Sequence, residues 1–380
     1  MQQPQVLLAS TFLTVIATVV APGTTAASDC LVERGRVAAR TVNSLAASGP
    51  LIVAMQRGNW GERPMVRVFT AGPRRLAEVG TWEPRRYVSD VALRGTTAIV
   101  AADGGLVSLD LSNPRHPQEV GFIDLIDTEW LTIDGDLVYS VTTGAGGNGW
   151  FDVIDVSDPE DPQQRGELTW DRPDPFKMAI DARAGTAVIV DSDGLLILDV
   201  SDPWRPEEVA RWQRHGARDV ALFDGFAAVA VTSWVDPDDV AVEIVDLSNP
   251  EAPALVGRWQ APSAVHTVAA FGERVVAGTE LDGVFLLDLG SPASPTVAEH
   301  LGTEGVVVRH LAGAWPSLVA GHNEQGLTVL GLHRSCLPPR RPAGRIGSQP
   351  AAFLSPSRIL GLTRGSSASP GTAAAVVTAK

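Results

Sequence analysis

Five segments of this chain carry the same strand-and-turn signature, and that repetition constrains the fold more than any other feature. They read GLVSLDLSNPRHP ending at Pro117, FDVIDVSDPEDP at Pro162, LLILDVSDPWRP at Pro206, VEIVDLSNPEAP at Pro253 and VFLLDLGSPASP at Pro295. Their second prolines recur at intervals of about 42–47 residues, a period that implies a solenoid, an array or a propeller. No helix-period pattern of useful length lies between them. Each unit instead holds four short β-type runs, such as VSDVAL, TAIVAA, GLVSLDL and EVGFI between Val88 and Asp124. Four strands per unit is the content of one propeller blade. The third run is continuously apolar, as expected of a strand covered on both faces. The Asp-x-Ser-Asn/Asp-Pro-x-x-Pro that follows is turn chemistry, in which Asp and Ser bond nearby N–H groups and Pro ends the strand. Asp110, Asp155, Asp199, Asp246 and Asp288 recur at one spot of five different units, so they cannot converge on a metal ion.

Two weaker copies flank these five. Upstream, ARTVNSL, LIVAM, MVRVF and LAEVGTW fit the four runs; downstream, VRHLAGA, SLVAG and GLTVLGL supply three. The missing fourth run lies at the other end, where Cys30-Leu31-Val32-Glu33-Arg34-Gly35 resembles Glu119-Val120-Gly121 and Leu255-Val256-Gly257-Arg258. The expectation is an all-β, seven-bladed β-propeller with four antiparallel strands per blade, over residues 28–337, the N-terminal strand closing the last blade. A closed ring is needed because an open blade leaves an unpaired edge. The only two cysteines, Cys30 and Cys336, flank that seam. In an oxidising compartment they would form a disulfide around a very long loop; two free thiols are the alternative.

The repeated motif, in GLLILDVSDPWRPEEVARW and its siblings, resembles the LVIVD repeat of bacterial exported β-propellers. The resemblance covers about residues 31–333 and implies the propeller fold with a surface or extracellular location. That family has no common reaction, so it implies no catalytic residues.

The ends differ from the repeats. Val6–Ala21 is an apolar stretch followed by Pro22-Gly23 and small residues, with cleavage expected after Ala26 or Ala27; residues 1–27 read as a signal peptide. No Lys or Arg precedes the apolar stretch, and Asp29 argues against lipid attachment at Cys30. Secreted, periplasmic or cell-surface placement follows, with no transmembrane helix in the mature chain. Residues 338–380 are rich in Pro, Ala, Gly and Ser, carry Arg340, Arg341, Arg345, Arg358, Arg364 and Lys380, and have no Asp or Glu. That composition reads as a disordered tail. The net charge of −14 argues against nucleic acid as a partner.

The usual nucleophile, phosphate-loop and metal motifs are absent. Because propeller sites draw one residue from each of several blades, the starts of the innermost strands are the place to look. Aligned, they read Arg40-Thr41, Ser89-Asp90, Glu129-Trp130, Lys177-Met178, Arg218-Asp219, His266-Thr267 and Arg309-His310. Two readings remain open there: opposite charges pairing across a water-filled channel, or a polar pocket for a small anion or a metal-bound substrate. A metal would recruit His266 and His310 with Glu129 or Asp219. Loops between second and third runs bring Trp60, Trp150 and Trp234 to the same end, either as ligand anchors or as lids on their own blades. Trp82, Trp170, Trp212 and Trp259 recur at the end of the fourth run and read as packing. Asp236, Asp238 and Asp239 form either a solvated acidic loop or a Ca²⁺ site.

Two functions are consistent with these residues. One is an exported binding module presenting a Trp-bearing, acidic face and central channel to a protein or glycan, with Trp60, Trp150, Trp234, Arg40, Asp90, Asp219 and Arg309 as ligand contacts and no cofactor. The other is a hydrolase or lyase, metal-dependent or not, built at the channel mouth from Glu129, Lys177, Arg218, His266 and His310.

Overall fold

The four runs of each repeat become four antiparallel strands. A computed structural model describes residues 31–332 apart from 38–41, 57–62, 73–74, 127, 144–148, 171–178, 192, 234, 303–306, 315–316 and 323–325. The expected signal segment, the basic tail, Cys30 and Cys336 therefore lie outside the described residues, and so do Arg40, Trp60, Lys177 and Trp234.

The first strand, β1 (Leu31–Val37), stands apart from its sequence neighbours. Blade 1 holds β2 (Ser44–Ser48), β3 (Leu51–Gln56), β4 (Met65–Gly72) and β5 (Arg75–Trp82). Blade 2 holds β6 (Val88–Arg94), β7 (Thr97–Ala102), β8 (Gly105–Asp110) and β9 (Gln118–Asp124). Blade 3 holds β10 (Trp130–Asp134), β11 (Leu137–Thr143), β12 (Gly149–Asp155) and β13 (Gln163–Trp170). Blade 4 holds β14 (Ala179–Arg183), β15 (Thr186–Val190), β16 (Gly194–Asp199) and β17 (Glu207–Gln213). Blade 5 holds β18 (Ala217–Phe223), β19 (Phe226–Thr232), β20 (Val240–Asp246) and β21 (Ala254–Gln260). Blade 6 holds β22 (Val265–Phe271), β23 (Arg274–Thr279), β24 (Val284–Asp288) and β25 (Thr296–Leu301). Blade 7 holds β26 (Val308–Ala314), β27 (Ser317–His322) and β28 (Gly326–Leu332), and β1 completes it in the order β1-β28-β27-β26. Leu31 faces Leu332 and Val37 faces Leu327 across that seam, so the expected closure by the N-terminal strand is correct.

The core lies between blades, not at the centre. Each apolar cluster draws on two neighbours, as where Val53, Val66 and Val68 of blade 1 meet Val91, Val100 and Val107 of blade 2. The last such cluster joins Val319, Leu327 and Val329 of blade 7 to Val42, Ile52 and Phe69 of blade 1, which makes the ring continuous. Trp82, Trp212 and Trp259 pack against these clusters and Trp170 is buried in one, as the sequence predicts.

The turn signature also has its expected role. Asp110, Asp155, Asp199 and Asp246 accept through Oδ1 from the N–H two residues on at 2.8–2.9 Å, and Asp288 does the same to Gly290 at 2.9 Å. These turns pack on a neighbour as well. Each fourth strand carries a bulge, and in blades 1, 2, 3 and 5 the residue after it is a glycine that abuts the first proline of the next blade's turn, whereas blades 4 and 6 have Ala210 and Glu299 there. A Cβ on Gly80 would lie 2.1 Å from the Pro114 carbonyl oxygen, and one on Gly257 would lie 1.9 Å from that of Pro292. The repeated Val-Gly and the repeated Ser-Asn/Asp-Pro are thus two sides of one contact.

Candidate functional site

The seven innermost strands, β2, β6, β10, β14, β18, β22 and β26, surround a channel with a cavity of about 470 Å³. Ser44, Asp90, Trp130, Asp219, Thr267 and His310, one from each of six blades, border it near the starts of their strands. Two residues further along each strand, on the same face by the period of two, the wall is Ala46, Ala92, Thr132, Asp181, Ala221, Ala269 and Ala312. Alanine at five of the seven positions lets the strands converge, and Thr132 and Asp181 are the exceptions.

The carboxylates on this wall join blades. Asp90 accepts from the Ser44 hydroxyl at 2.5 Å, from Val91 N–H at 2.9 Å, and from Leu131 N–H of the next blade at 2.9 Å. Asp219 accepts from Val220 N–H and from Val268 N–H of the next blade, both at 2.9 Å. Asp181 accepts from Ala182 N–H at 2.9 Å and from Leu222 N–H of the next blade at 2.7 Å. Burial pushes both Asp181 and Asp219 up to about 6 against the pull of these bonds, and a neighbouring carboxylate adds to the rise in each. The oxygens expected to meet a ligand are therefore engaged by backbone.

A second group precedes this wall by one residue. In β6, β18, β22 and β26 the pairing slips by one at the same place, leaving Ser89, Arg218, His266 and Arg309 as bulged residues at the strand starts. Bulges of this kind re-aim side chains. Arg309 Nη1 donates to His266 Nδ1 at 3.4 Å, and Glu280 Oε2 lies 3.9 Å from His266 Nε2. Burial, then the charges of Arg309 and Arg218, hold His266 down at about 4. It is a neutral imidazole near pH 7, poorly matched to a general acid or base role there. Its cationic neighbours also oppose a metal ion, and the described residues hold no group of three or more His, Cys, Asp or Glu side chains able to take one. The alignment behind these residues holds in five blades. In blade 1 the equivalent pair is Asn43-Ser44, three residues past Arg40-Thr41, and in blade 4 the strand begins at Ala179, with Lys177-Met178 outside the described residues.

Among the described residues, the loops entering the innermost strands and those joining second to third strands open at this same end. Trp150 is not on such a loop: it lies in β12, paired with Thr142 and Thr169, and is half-buried. What the loops do expose is Tyr87 (46 %), Ile126 (52 %), Val235 (95 %) and Leu281 (65 %). The acidic loop is braced. Asp239 binds Arg214 at 2.7 and 3.0 Å and Arg258 at 2.8 Å, and the buried Glu243 binds both arginines, reaching Arg214 at 2.9 and 3.0 Å. With two guanidiniums on it, Asp239 is held down at about 2 and is not a waiting Ca²⁺ ligand. The face is also less uniformly acidic than its net charge suggests. Arg63, Arg85, Arg86 and Tyr87 line a second pocket of about 430 Å³, where the Arg86 guanidinium stacks 4.0 Å above the Phe122 ring.

Comparison with known proteins agrees with this architecture. The LVIVD repeat family matches residues 85–124, 186–213 and 216–261. No curated protein matches the chain. Among solved structures, Saccharomyces cerevisiae Sqt1 superposes with a TM-score of 0.56 at 8 % identity, covering 78 % of this chain and 97 % of that one. The computationally designed Ika8 protein gives 0.55 at 12 % identity, covering 79 % and 99 %. BamB from Moraxella catarrhalis gives 0.50 at 13 % identity, covering 78 % and 84 %. At such identities the likeness is one of fold.

Proposed function

We propose that this LVIVD-repeat propeller is an exported binding module that presents the loop face around its channel mouth to a protein or glycan. One observation carries the reading: Tyr87, Ile126, Val235 and Leu281, from the loops of four different blade positions, are all exposed at that one end. Large apolar side chains held out on a rigid scaffold suit a partner's surface. The sequence also offers Trp60 and Trp234 as ligand contacts, and both lie outside the described residues. Export is supported by the apolar segment with its small-residue cleavage site and by the two cysteines that flank the seam. No described helix is long and apolar enough to cross a membrane.

The test is binding of the full chain to a glycan panel and to envelope proteins, compared with Val235→Asp and Leu281→Asp. The expected result is a ligand retained by the parent and lost by both variants. Retention of every ligand by the variants overturns the reading. An export-dependent phosphatase fused after residue 27 is expected to be active, and an inactive fusion removes the export part.

A further inference from the structure

Basic side chains gather on the loop face where blades 1 and 2 meet. The pocket of about 430 Å³ there is lined by Arg63, Pro64, Pro84, Arg85, Arg86 and Tyr87. Arg63 and Pro64 lead into β4 and the other four lead into β6, so the pocket lies at the end where the channel opens. None of these six is acidic, although the chain has 44 Asp and Glu against 30 Lys and Arg. Glu83 precedes Pro84 without lining the pocket. Arg86 is held in place: its guanidinium stacks 4.0 Å above the Phe122 ring, and Nη1 donates to the Asp103 carbonyl oxygen at 3.5 Å. Arg63 and Arg85 are exposed, and neither makes a hydrogen bond or ion pair with the described residues. Beside them Tyr87 presents a ring that is 46 % exposed. Pro84, which is buried, and the half-buried Pro64 add a stiff apolar lining.

We propose that this pocket holds an anionic sugar unit of an acidic glycan. The anionic group, a carboxylate or a sulfate ester, takes the open donors of Arg63 and Arg85, whose planar forks match paired oxygens. The apolar face of the sugar ring rests on Tyr87, a large and rigid amphipathic surface. Arg86 adds charge from its fixed position. An acidic peptide would use the arginines but would leave the tyrosine ring and the prolines without a flat apolar partner. The inference rests on the reading of this face as the binding face and, of the two partners named there, selects the glycan.

The test uses the full chain at about 0.15 M salt, where long-range attraction between exposed charges is screened. The probe is trigalacturonate and the comparison is neutral maltotriose. Tyr87 is one of two tyrosines, and the other, Tyr139, is buried. Ring-labelled tyrosine therefore reports on the site by NMR, with Tyr87→Phe assigning the signals. Trigalacturonate is expected to move the Tyr87 signal saturably and leave Tyr139 in place, and maltotriose to move neither. By calorimetry, Arg63→Gln and Arg85→Gln should each weaken trigalacturonate about threefold and together about tenfold. Both positions are exposed, and an unchanged Tyr139 signal checks that the fold is kept. An equal response to maltotriose, or unchanged affinity in the double variant, overturns the site. Triglutamate binding as tightly as trigalacturonate overturns the sugar assignment. Sulfated maltotriose tells a sulfate ester from a carboxylate, and tighter binding of either acidic sugar than of maltotriose supports the site. Val235 and Leu281 lie on loops of blades 5 and 6, so failure here leaves their experiment standing and the two readings fail separately.

Discussion

The Oδ2 oxygen of Asp219 accepts from the backbone N–H of Val268 at 2.9 Å, tying the innermost strand of one blade to that of the next. Asp90 makes the same link to Leu131, and Asp181 makes it to Leu222 one step deeper. Residues that look like a polar site in sequence are therefore rivets between blades.

These rivets are pH-dependent. Asp219 is held at about 6, above its ordinary value near 3.8, by burial and by Asp90 across the channel. Its contribution is full below the unfolded value and is lost as pH rises through about 6. His266 and His322, lowered by burial, act in the opposite sense, so the comparison is made against a variant at each pH. Asp219→Asn puts an NH₂ against one of two N–H groups and should cost about 1–3 kcal/mol. Its deficit is expected to widen as pH falls from about 7 to about 4. Urea denaturation at a series of pH values reads this, and a deficit that shrinks on acidification refutes it.

Gly257→Ala tests the contact between blades at their outer edge. The new Cβ would sit 1.9 Å from the Pro292 carbonyl oxygen, so blades 5 and 6 must part. A loss of about 1–3 kcal/mol is expected. Glycines in strands are commonly read as weak points, so an unchanged midpoint in urea would mean the two blades tolerate separation there.

Glu243, only 2 % exposed, lies between Arg214 and Arg258. Removing the carboxylate by Glu243→Ala leaves Asp239 as the remaining counter-charge of both guanidiniums, and about 3 kcal/mol should be lost, the lower end for breaking a buried pair. Asp239→Ala, nearer solvent, should cost less. Equal losses in thermal unfolding would show that burial is not what gives this network its weight.

The register of β1 on β28 sets Leu31 opposite Leu332, with Cys30 just before the one and Cys336 shortly after the other. We propose that the two form a disulfide. Thiol counting on protein from an oxidising compartment is expected to find none free, and reduction should lower Tm; the chain-entropy model gives about 6 kcal/mol for so long a loop. Two titratable thiols in the folded protein would remove the bond.

The blade count, the seam and the turn aspartates are readable from residues alone because each is local and repeated. Asp181 is not. The fourth unit offers Lys177-Met178 as a polar strand start, while its carboxylate stands two positions further along than Asp90 and Asp219 on the same face. Only the pairing of Asp181 with Val188 shows this. The exposure of Val235 and Leu281 is likewise hidden, since an apolar loop residue looks the same whether it folds inward or out. Trp150 misleads because a tryptophan beside a Gly-rich segment suggests a loop, while its strand continues through it.

The pairing of Leu31 with Leu332 also sets an order of events. Among the described strands β1 emerges first during synthesis, yet its hydrogen-bonded partner, β28, is the last to appear. Blades 1 to 6 can each form from neighbouring segments as they leave the ribosome, but blade 7 waits for both ends. Until then one strand has no partner and one sheet has an open edge, the state most exposed to pairing with other chains. A chain carried across a membrane before that moment would be transported as an incomplete ring, and its last fastening would be made on the far side.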